Sequence, residues 1–227
     1  MLEKTKHQLV LKQLLREIFS DSELSAQLVF KGGTALMLFH SLNRFSTDLD
    51  FDIRNETDDI NFKRLCRLTA SHLTINDSAE KQNTYLLEGS YESGMQQVKI
   101  EVNRRKFPQD FTLYNYLGLS IPILSRENML AHKLCAIISR KTIQNRDIYD
   151  ADFMLKKNWE PNIEIIKLRT NLGMADYCSV LLETVNNTAI QKNIMLGLGE
   201  VLDKKERDWA RKNLVKSFQE QLLLRII

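Results

Sequence analysis

The segment at residues 48–53, with the sequence DLDFDI, constrains the fold more than any other part of the chain. Its three aspartates alternate with leucine, phenylalanine and isoleucine. Because successive side chains of a β-strand point to opposite faces, this alternation predicts a strand with one apolar face and one acidic face. Asp48 and Asp50 therefore project from the same side of the strand.

Paired carboxylates at this spacing suit a divalent cation. Mg²⁺ prefers hard oxygen ligands and keeps coordination positions for water and substrate phosphates, which two strand-borne carboxylates allow. The sequence therefore predicts Asp48 and Asp50 as ligands of Mg²⁺ or Mn²⁺. For a D-x-D pattern alone, the alternative is a solvated, acidic edge strand.

A glycine pair precedes this strand. Residues 27–30 are predicted as a short strand, residues 31–33 as a tight turn, and Thr34 as the N-cap of a helix that extends to Leu42. Two glycines at a strand-to-helix turn allow backbone N–H groups to approach a phosphate closely. The alternative is an ordinary capped turn. Together with the D-x-D strand, the pattern favours a phosphate-binding turn followed by a metal site.

The rest of the chain predicts an α/β (α+β) fold, in which a mixed sheet with flanking helices precedes a mostly helical region. Periodicity predicts a helix over residues 9–19 and a second helix that Asp58 and Asp59 cap and that reaches Leu73. A hairpin is predicted from two strands, at residues 84–91 and 96–102. Further helices are predicted at residues 127–139, 147–155 and 175–184 and from about residue 204.

The break near Pro122 predicts a division into residues 1–122 and 123–227. The 227 residues suffice for one large domain or two small ones. The content of 43% hydrophobic and 27% charged residues is typical of a soluble globular protein, and a formal charge of +3 does not by itself indicate nucleic-acid binding.

Composition also predicts the compartment. No apolar run approaches the roughly 18 residues that cross a bilayer. The cysteines are isolated and the histidines lack ligand-like spacing, so we expect neither a disulfide framework nor a zinc site. A cytoplasmic protein is the resulting expectation. The residues concerned are Cys66, Cys135 and Cys178, and His7, His40, His72 and His132, the histidines being expected at the surface or in packing.

Two separated blocks of sequence resemble a known family. The first is KGGTAL at residues 31–36 followed by RFSTDLDF at residues 44–51. The second lies within residues 127–150, where K-L-x-A precedes Arg140 and the run R-D-I-Y-D. In this order the blocks resemble the AbiEii/AbiGii toxin family of the nucleotidyltransferase superfamily and are similar to MenT-type toxins. The resemblance implies a minimal nucleotidyltransferase-type sheet and a helical region that completes the nucleotide cleft.

The resemblance and the residue chemistry together yield a set of candidate site residues. The predicted catalytic residues are Asp48, Asp50, Lys133 and Asp147, and the predicted metal ligands are Asp48 and Asp50. The predicted nucleotide-binding residues are Gly32, Gly33, Thr34, Ser46, Lys133 and Arg140. Further candidates are Glu101, Arg146 and Asp150.

The second block also has a physical rationale of its own. On a helix, Lys133, Ala136 and Arg140 fall on one stripe. Lys133 can neutralise triphosphate charge, whereas Arg140 either contacts a phosphate or forms a structural ion pair. The neighbouring stripe, which we expect to be buried, consists of Leu130, Leu134 and Ile137.

The two aspartates of the second block lie one helical turn apart. Asp147 and Asp150 can orient Lys133, deprotonate a hydroxyl or assist metal binding, or they serve only as partners of the helix dipole. The resemblance favours Asp147 as the functional member. Arg146 either contacts phosphate or pairs with Asp150.

Glu101 lies on a predicted strand with Lys99 on the same face. Superfamily members commonly place a third acidic residue on a neighbouring strand, which implies that Glu101 activates the attacking hydroxyl or completes the metal shell. The alternative is an exposed edge strand with a Lys99–Glu101 pair. Two basic patches either hold an RNA backbone or are simply solvated. They comprise Arg104, Arg105 and Lys106, and Lys204, Lys205, Arg207, Arg211, Lys212 and Lys216.

The family resemblance implies a toxin of a type IV toxin–antitoxin or abortive-infection system, active in phage defence. It predicts Mg²⁺-dependent transfer of a nucleoside monophosphate from an NTP, with GTP or CTP favoured, to RNA and above all tRNA. A separate cognate antitoxin protein is implied. Two alternatives stay open, namely the same chemistry on a small molecule or protein side chain, and a non-catalytic nucleotide- or RNA-binding module.

Overall fold

The computed structural model describes residues 3–55, 59–140, 142–187 and 192–226. The chain divides into two compact units. The first consists of residues 1–41 and 45–124, and the second consists of residues 42–44 and 125–227. The first unit contains the sheet and the second is helical, so the predicted α/β fold class with a mixed sheet and a helical C-terminal region is confirmed.

The first unit is built on a mixed sheet with the strand order β3-β4-β5-β2-β1-β7-β6, as far as the described residues show. Its elements are α1 (Lys4–Ser20), α2 (Ser22–Gln27), β1 (Leu28–Lys31), α3 (Gly32–His40), β2 (Asp48–Ile53), α4 (Phe62–Thr69), β3 (Thr74–Lys81), β4 (Thr84–Ser90), β5 (Val98–Asn103), β6 (Phe111–Tyr116) and β7 (Leu119–Leu124). β2 pairs with β1 in antiparallel and with β5 in parallel orientation. The acidic strand is therefore an interior strand of the sheet.

The apolar face of β2 fixes the strand in the core. Leu49 and Phe51 are fully buried. The ring of Phe51 lies 5.3 Å from the ring of Phe30 on β1 and 6.0 Å from that of Phe19 on α1. Burial of each such side chain contributes about 1.5–3 kcal/mol. A shift of the strand by one residue would bury its aspartates, so this packing determines which face carries them.

Several predicted elements of the first unit are confirmed. They are the first helix, the short strand before the glycines, the acidic strand, and the hairpin formed by β4 and β5. Strands β3, β6 and β7 were not predicted. β3 is largely polar and lies at one edge of the sheet, and Pro122, the predicted break, lies within β7. Both features weaken the sequence signal of a strand.

Two predicted helix caps are wrong. α3 begins at Gly32 with Lys31 in an extended conformation as its N-cap, so Thr34 lies inside the helix. α4 is capped by Asn61, whose side chain accepts a hydrogen bond from the Arg64 amide at 3.1 Å, and not by Asp59. Asp58 lies outside the described residues. In α4 the cap lies directly before the first apolar residue, Phe62, whereas in α3 it lies three residues before the candidate Thr34.

The second unit consists of packed helices. They are α5 (Arg126–Ser139), α6 (Asn145–Lys156), α7 (Ile163–Thr170), α8 (Met174–Val185) and α9 (Lys204–Leu223). Apart from α7, each was predicted. The side chains of Ser125 and Asp203 cap α5 and α9. None of the described helices is both long and apolar enough to span a bilayer.

Helix α5 confirms one part of its predicted pattern and corrects another. Leu130, Leu134 and Ile137 are fully buried, as predicted. Arg140, however, is the C-cap of the helix with φ −84° and ψ 144°, so it does not continue the helical stripe of Lys133. The extended backbone at Arg140 ends the helix one residue earlier than the stripe required.

Candidate active site

Asp48 and Asp50 lie on one face of β2, as predicted. Along the strand, half-buried aspartates alternate with the fully buried Leu49 and Phe51. In the parallel pairing with β5, Asp50 is in register with Glu101. Three carboxylates therefore share one face of two neighbouring strands.

The turn before α3 lies directly against this acidic face. Lys31 is in register with Asp50, and Gly32 follows with a φ of +79°. A Cβ on Gly32 would lie 2.2 Å from Oδ2 of Asp50, well inside van der Waals contact. Both the backbone conformation and the close approach of the carboxylate therefore require glycine at this position.

Thr34 acts on the same strand. Its side chain is fully buried, and Oγ1 donates a hydrogen bond to the backbone carbonyl of Asp48 at 2.5 Å. Gly33 and Ser46 are buried as well. The hydrogen bond from the Thr34 hydroxyl thus fixes the backbone at the start of β2.

His7 holds the neighbouring carbonyl. Its Nε2 lies 2.9 Å from the carbonyl oxygen of Thr47 and therefore donates, which leaves Nδ1 to accept from the Tyr91 hydroxyl at 3.2 Å. The ring is fully buried beside Phe45. Burial lowers the pKa of His7, against the opposing effects of the Thr47 hydrogen bond and the Asp48 charge. Of the two positions expected for His7, at the surface or in packing, the structure shows the second.

Glu101 forms an ion pair with Lys99 on its own strand. The Lys99 ammonium lies 2.7 Å from Oε2 of Glu101, and both side chains are about one-third exposed. Burial lowers the pKa of Lys99, but Glu101, Asp48 and Asp50 together raise it by more. β5 lies between β4 and β2, so the alternative of an exposed edge strand is wrong.

The third aspartate of the strand has a different environment. Asp52 is buried, and its Oδ1 lies 2.5 Å from the Lys31 ammonium and 2.7 Å from Nδ2 of Asn103. These contacts compensate its charge and satisfy its hydrogen bonding. Asp52 is therefore a structural residue, which distinguishes it from Asp48 and Asp50.

The donor set at β2 fits a divalent cation of the magnesium type. Asp48 and Asp50 offer hard carboxylate oxygens, and the absence of a side chain at Gly32 lets the Asp50 carboxylate lie close to the start of α3. Within the described ranges, no group of three or more His, Cys, Asp or Glu side chains is arranged to hold a metal ion. The fit therefore rests on two carboxylates, with the remaining coordination positions left for water and substrate.

The second unit contains a buried charge network around α6. Asp147 and Asp150 are fully buried. The ammonium of Lys133 lies 2.8 Å from Oδ1 of Asp147 and 2.8 Å from Oδ2 of Asp150. Arg44 adds a bidentate pair with Asp150. Lys133 is therefore oriented by both aspartates, which was one of the roles weighed for them.

Opposite charges set the pKa values within this network. Burial raises the pKa of Asp150, but the charges and hydrogen bonds of Arg44 and Lys133 lower it by more. For Lys133, burial lowers the pKa, and Asp150 and Asp147 raise it by more. Both groups are consequently ionised at neutral pH. The network is a fully charged cluster inside the helical unit.

One oxygen of this network is not hydrogen bonded. Oδ2 of Asp147 is buried without a hydrogen-bond partner among the described residues. Arg140 Nε lies 3.2 Å from it, within ion-pair distance but without hydrogen-bond geometry, and its side chain is 44% exposed. The structural ion pair considered for Arg140 is therefore present. Arg146 is half-buried and the described partners of Asp150 are Arg44 and Lys133 instead.

Arg44 is the network residue that sequence reasoning missed as a site residue. It belongs to the RFSTDLDF block, but no helical or strand spacing connects it to α6. Its guanidinium is buried, and burial lowers its pKa, but the charge and hydrogen bonds of Asp150 together with the charge of Asp147 raise it by more. The only available signal was an arginine in a motif, with no partner identifiable from sequence.

The two basic patches differ in how freely their charges face solvent. Arg104 donates to Asp59 at 2.9 Å and stacks over Tyr85, and Lys106 donates to the carbonyl of Asn55. Most of the first patch therefore has structural partners. The basic side chains of α9 are exposed, with ion pairs from Arg211 to Asp208 and from Lys216 to Glu220.

Comparison with solved structures defines the class of fold. JHP933 from Helicobacter pylori is 22% identical, with a TM-score of 0.57 over 98% of this chain and 94% of that chain. A structure of a candidate nucleotidyltransferase from H. pylori is 21% identical, with a TM-score of 0.57 and coverage of 98% and 97%. An antigenic nucleotidyltransferase-like protein from Paracoccidioides brasiliensis is 17% identical, with a TM-score of 0.52 and coverage of 85% and 94%. The fold is thus of the nucleotidyltransferase type.

The family follows from the sequence model that matches this chain. The model of the nucleotidyl transferase AbiEii toxin, type IV toxin–antitoxin system, matches residues 13–214. The chain belongs to this family, which confirms the resemblance found in its two motif blocks. A search of curated proteins found no significant match.

Proposed function

We propose that this protein is a toxin-type, Mg²⁺-dependent nucleotidyltransferase that transfers a nucleoside monophosphate from an NTP to RNA, with tRNA as the acceptor. Pyrophosphate is the second product. GTP and CTP are the favoured donors. The family supports nucleotidyl transfer, while the metal, the donor and the acceptor are parts of the proposal.

The contact between Gly32 and Asp50 carries this proposal. A glycine with positive φ lies against a carboxylate of a D-x-D strand, at the N-terminus of α3. A helix N-terminus with a glycine turn favours a phosphate, and adjacent carboxylates favour the cation that accompanies it. This combination suits a nucleoside triphosphate with its metal ion.

The site residues of the first unit have distinct roles in this proposal. Asp48 and Asp50 hold Mg²⁺, which when bound aligns the α-phosphate and stabilises charge on the pyrophosphate leaving group. The backbone N–H groups of Gly32 and Gly33 bind the triphosphate. Thr34 fixes the backbone of Asp48 through the hydrogen bond described above. The acceptor hydroxyl attacks the α-phosphorus, and the bond to the bridging oxygen of pyrophosphate breaks.

The second unit supplies further proposed roles. Lys133 binds phosphate charge, and Asp147, whose Oδ2 lacks a hydrogen-bond partner among the described residues, takes the proton of the acceptor hydroxyl. Arg140, Ser46 and Arg146 assist in binding the nucleotide or the acceptor. Asp150 instead orients Lys133, since its carboxylate is shared between Lys133 and Arg44.

RNA as acceptor and an antitoxin as partner complete the proposal. The type IV family implies a cognate antitoxin, which we propose is a separate protein. The exposed basic residues of α9 offer contacts to an RNA backbone. The biological outcome is growth inhibition in abortive infection, with the reaction in the cytoplasm.

The test incubates purified protein with total tRNA, Mg²⁺ and each α-labelled NTP in turn. Asp48→Asn and Lys133→Ala are assayed beside the wild type, and Asp77→Asn, an exposed aspartate of β3, serves as the matched control. We expect label in tRNA with wild type and Asp77→Asn, and at least a 100-fold loss with the two site variants, about the effect of removing one electrostatic contact in a transition state.

Other outcomes would reassign the function. Label in protein or in a small molecule but never in RNA would refute the acceptor. Binding of NTP without turnover, unchanged in Asp48→Asn, would indicate a non-catalytic module. Circular dichroism of each variant confirms that a loss of label does not reflect unfolding.

A further inference from the structure

Asp48, Asp50, Lys99 and Glu101 lie next to one another on one face of β2 and β5. The parallel register places Lys99 beside Asp48 and Glu101 beside Asp50. Neighbours on paired strands lie about 4.8 Å apart and point to the same face. One cation is therefore embedded among the carboxylates of the proposed metal site.

Lys99 has acidic neighbours on both sides. It is in register with Asp48 of β2 and with Glu88 of β4. Among the described residues, its ion pair is with Glu101, at 2.7 Å. The ammonium thus compensates the negative charge of Glu101. Glu101 is the candidate for a third metal ligand.

We propose that Lys99 sequesters Glu101 and thereby limits the metal site to the carboxylates of Asp48 and Asp50, which bind a single divalent cation. The inference rests on the proposed function, because it takes these two aspartates as the metal ligands. Lys99 is a positioning residue in this scheme. It acts through its ion pair with Glu101.

The ion pair between Lys99 and Glu101 carries this scheme. A metal ion that recruits Glu101 must first break that pair. While the pair is intact, the charge of Lys99 is balanced by that of Glu101, so the pair adds little net repulsion of a divalent cation. A lysine with an ordinary pKa of about 10.4 is charged at neutral pH.

The experiment titrates the full chain with Mn²⁺ in the absence of nucleotide and follows free Mn²⁺ by electron paramagnetic resonance. Wild type should bind one ion. Lys99→Met should bind about tenfold more tightly or bind a second ion, because Glu101 is released from its ion pair. Lys99→Arg retains the charge and the pair, and should match wild type within about twofold.

Glu101 variants separate sequestration from a general charge effect. Glu101→Gln alone should weaken Mn²⁺ binding far less than Asp48→Asn does, since the carboxylate is already paired with Lys99. Combined with Lys99→Met, it should remove most of the gain. Glu88→Gln is the matched control, because it removes a carboxylate beside Lys99 that forms no ion pair among the described residues, and it should leave binding unchanged.

Different results of the Mn²⁺ titration would refute the inference and the proposed metal site. Unchanged Mn²⁺ binding in Lys99→Met, or a loss in Glu101→Gln as large as that in Asp48→Asn, overturns the inference while the metal site stands. A gain in Lys99→Met that persists in the double variant also contradicts sequestration. If Asp48→Asn and Asp50→Asn leave Mn²⁺ binding intact, the metal site itself is wrong.

Discussion

Arg44 and Asp150 form a bidentate ion pair between residues 106 positions apart in sequence, with Nε 2.5 Å from Oδ1 and Nη2 2.7 Å from Oδ2. Both side chains are buried within the second unit. The same carboxylate contacts Lys133. Asp150 is thus the junction at which an arginine of the first motif block meets the lysine of the second.

Removal of one partner of this junction should destabilise the protein strongly. We predict that Asp150→Asn lowers the free energy of unfolding by about 3–5 kcal/mol, because two buried cations lose their counter-charge. Arg44→Lys should cost less but still lose the bidentate geometry. Urea unfolding measures both. A change below about 1 kcal/mol for Asp150→Asn would contradict the charged, buried network.

The junction also predicts a pH signature. The pKa of Asp150 is lowered in the folded protein, so its stabilisation is present above the unfolded value of about 3.9 and is lost as pH falls through the folded pKa. The destabilisation by Asp150→Asn should therefore be large at neutral pH and shrink below about pH 4. Unfolding curves measured between these conditions test the sign.

Asp152, two residues further along α6, provides the opposite case. Its pKa is raised, mainly by burial, although Ser217 and Lys156 oppose the shift. Its contribution to stability is fully present below the unfolded pKa of about 3.9 and is lost as pH rises through the raised pKa of the folded protein. We predict that Asp152→Asn becomes less destabilising as pH rises, in contrast to Asp150→Asn. The same trend in both variants would refute the assignment.

Gly32 should tolerate no side chain. Gly32→Ala places a Cβ 2.2 Å from Oδ2 of Asp50 and strains a backbone with φ +79°, the strain alone costing about 1–2 kcal/mol. Gly118→Ala is a matched control, since its φ is +82° and its Cβ would meet open space. We expect both variants to lose stability by thermal unfolding, and Gly32→Ala alone to weaken Mn²⁺ binding by at least fivefold.

The hydroxyl of Thr34 should support the metal site through the backbone of Asp48. Thr34→Val keeps the shape of the side chain but leaves a buried carbonyl without its donor, at a cost of about 1–3 kcal/mol. Thr69→Val, which removes an equally buried hydroxyl bonded to Leu65 O at 2.9 Å, is the control. Weaker Mn²⁺ binding in Thr34→Val only would support the positioning role, whereas equal binding in both would exclude it.

Local pattern predicted the acidic strand and the helices other than α2 and α7. In β2 aspartate alternates with leucine and phenylalanine, which is a property of neighbouring residues. The two-residue period of this alternation matches the burial of Leu49 and Phe51. The same holds for the buried stripe of α5. These features depend on positions a few residues apart, so the sequence alone contains them.

The pairing of the strands decided which site residues lie side by side, which local sequence pattern could not predict. The register that places Asp50 beside Glu101 and Lys99 beside Asp48 joins residues about 50 positions apart, and the contact of Gly32 with Asp50 depends on the pairing of β1 with β2. Neither strand sequence encodes its neighbour in the sheet. Packing of the whole sheet selects it, because one arrangement buries every apolar face.

The sequence by itself therefore determined the family, the acidic strand with its two candidate metal ligands, and most of the helices. Only the tertiary structure decided that Asp52 is a structural residue, that Glu101 is paired with Lys99, and that Arg44 reaches Asp150. The physical reason is that a side chain's charge state and partners depend on burial and on distant segments, which local periodicity does not record.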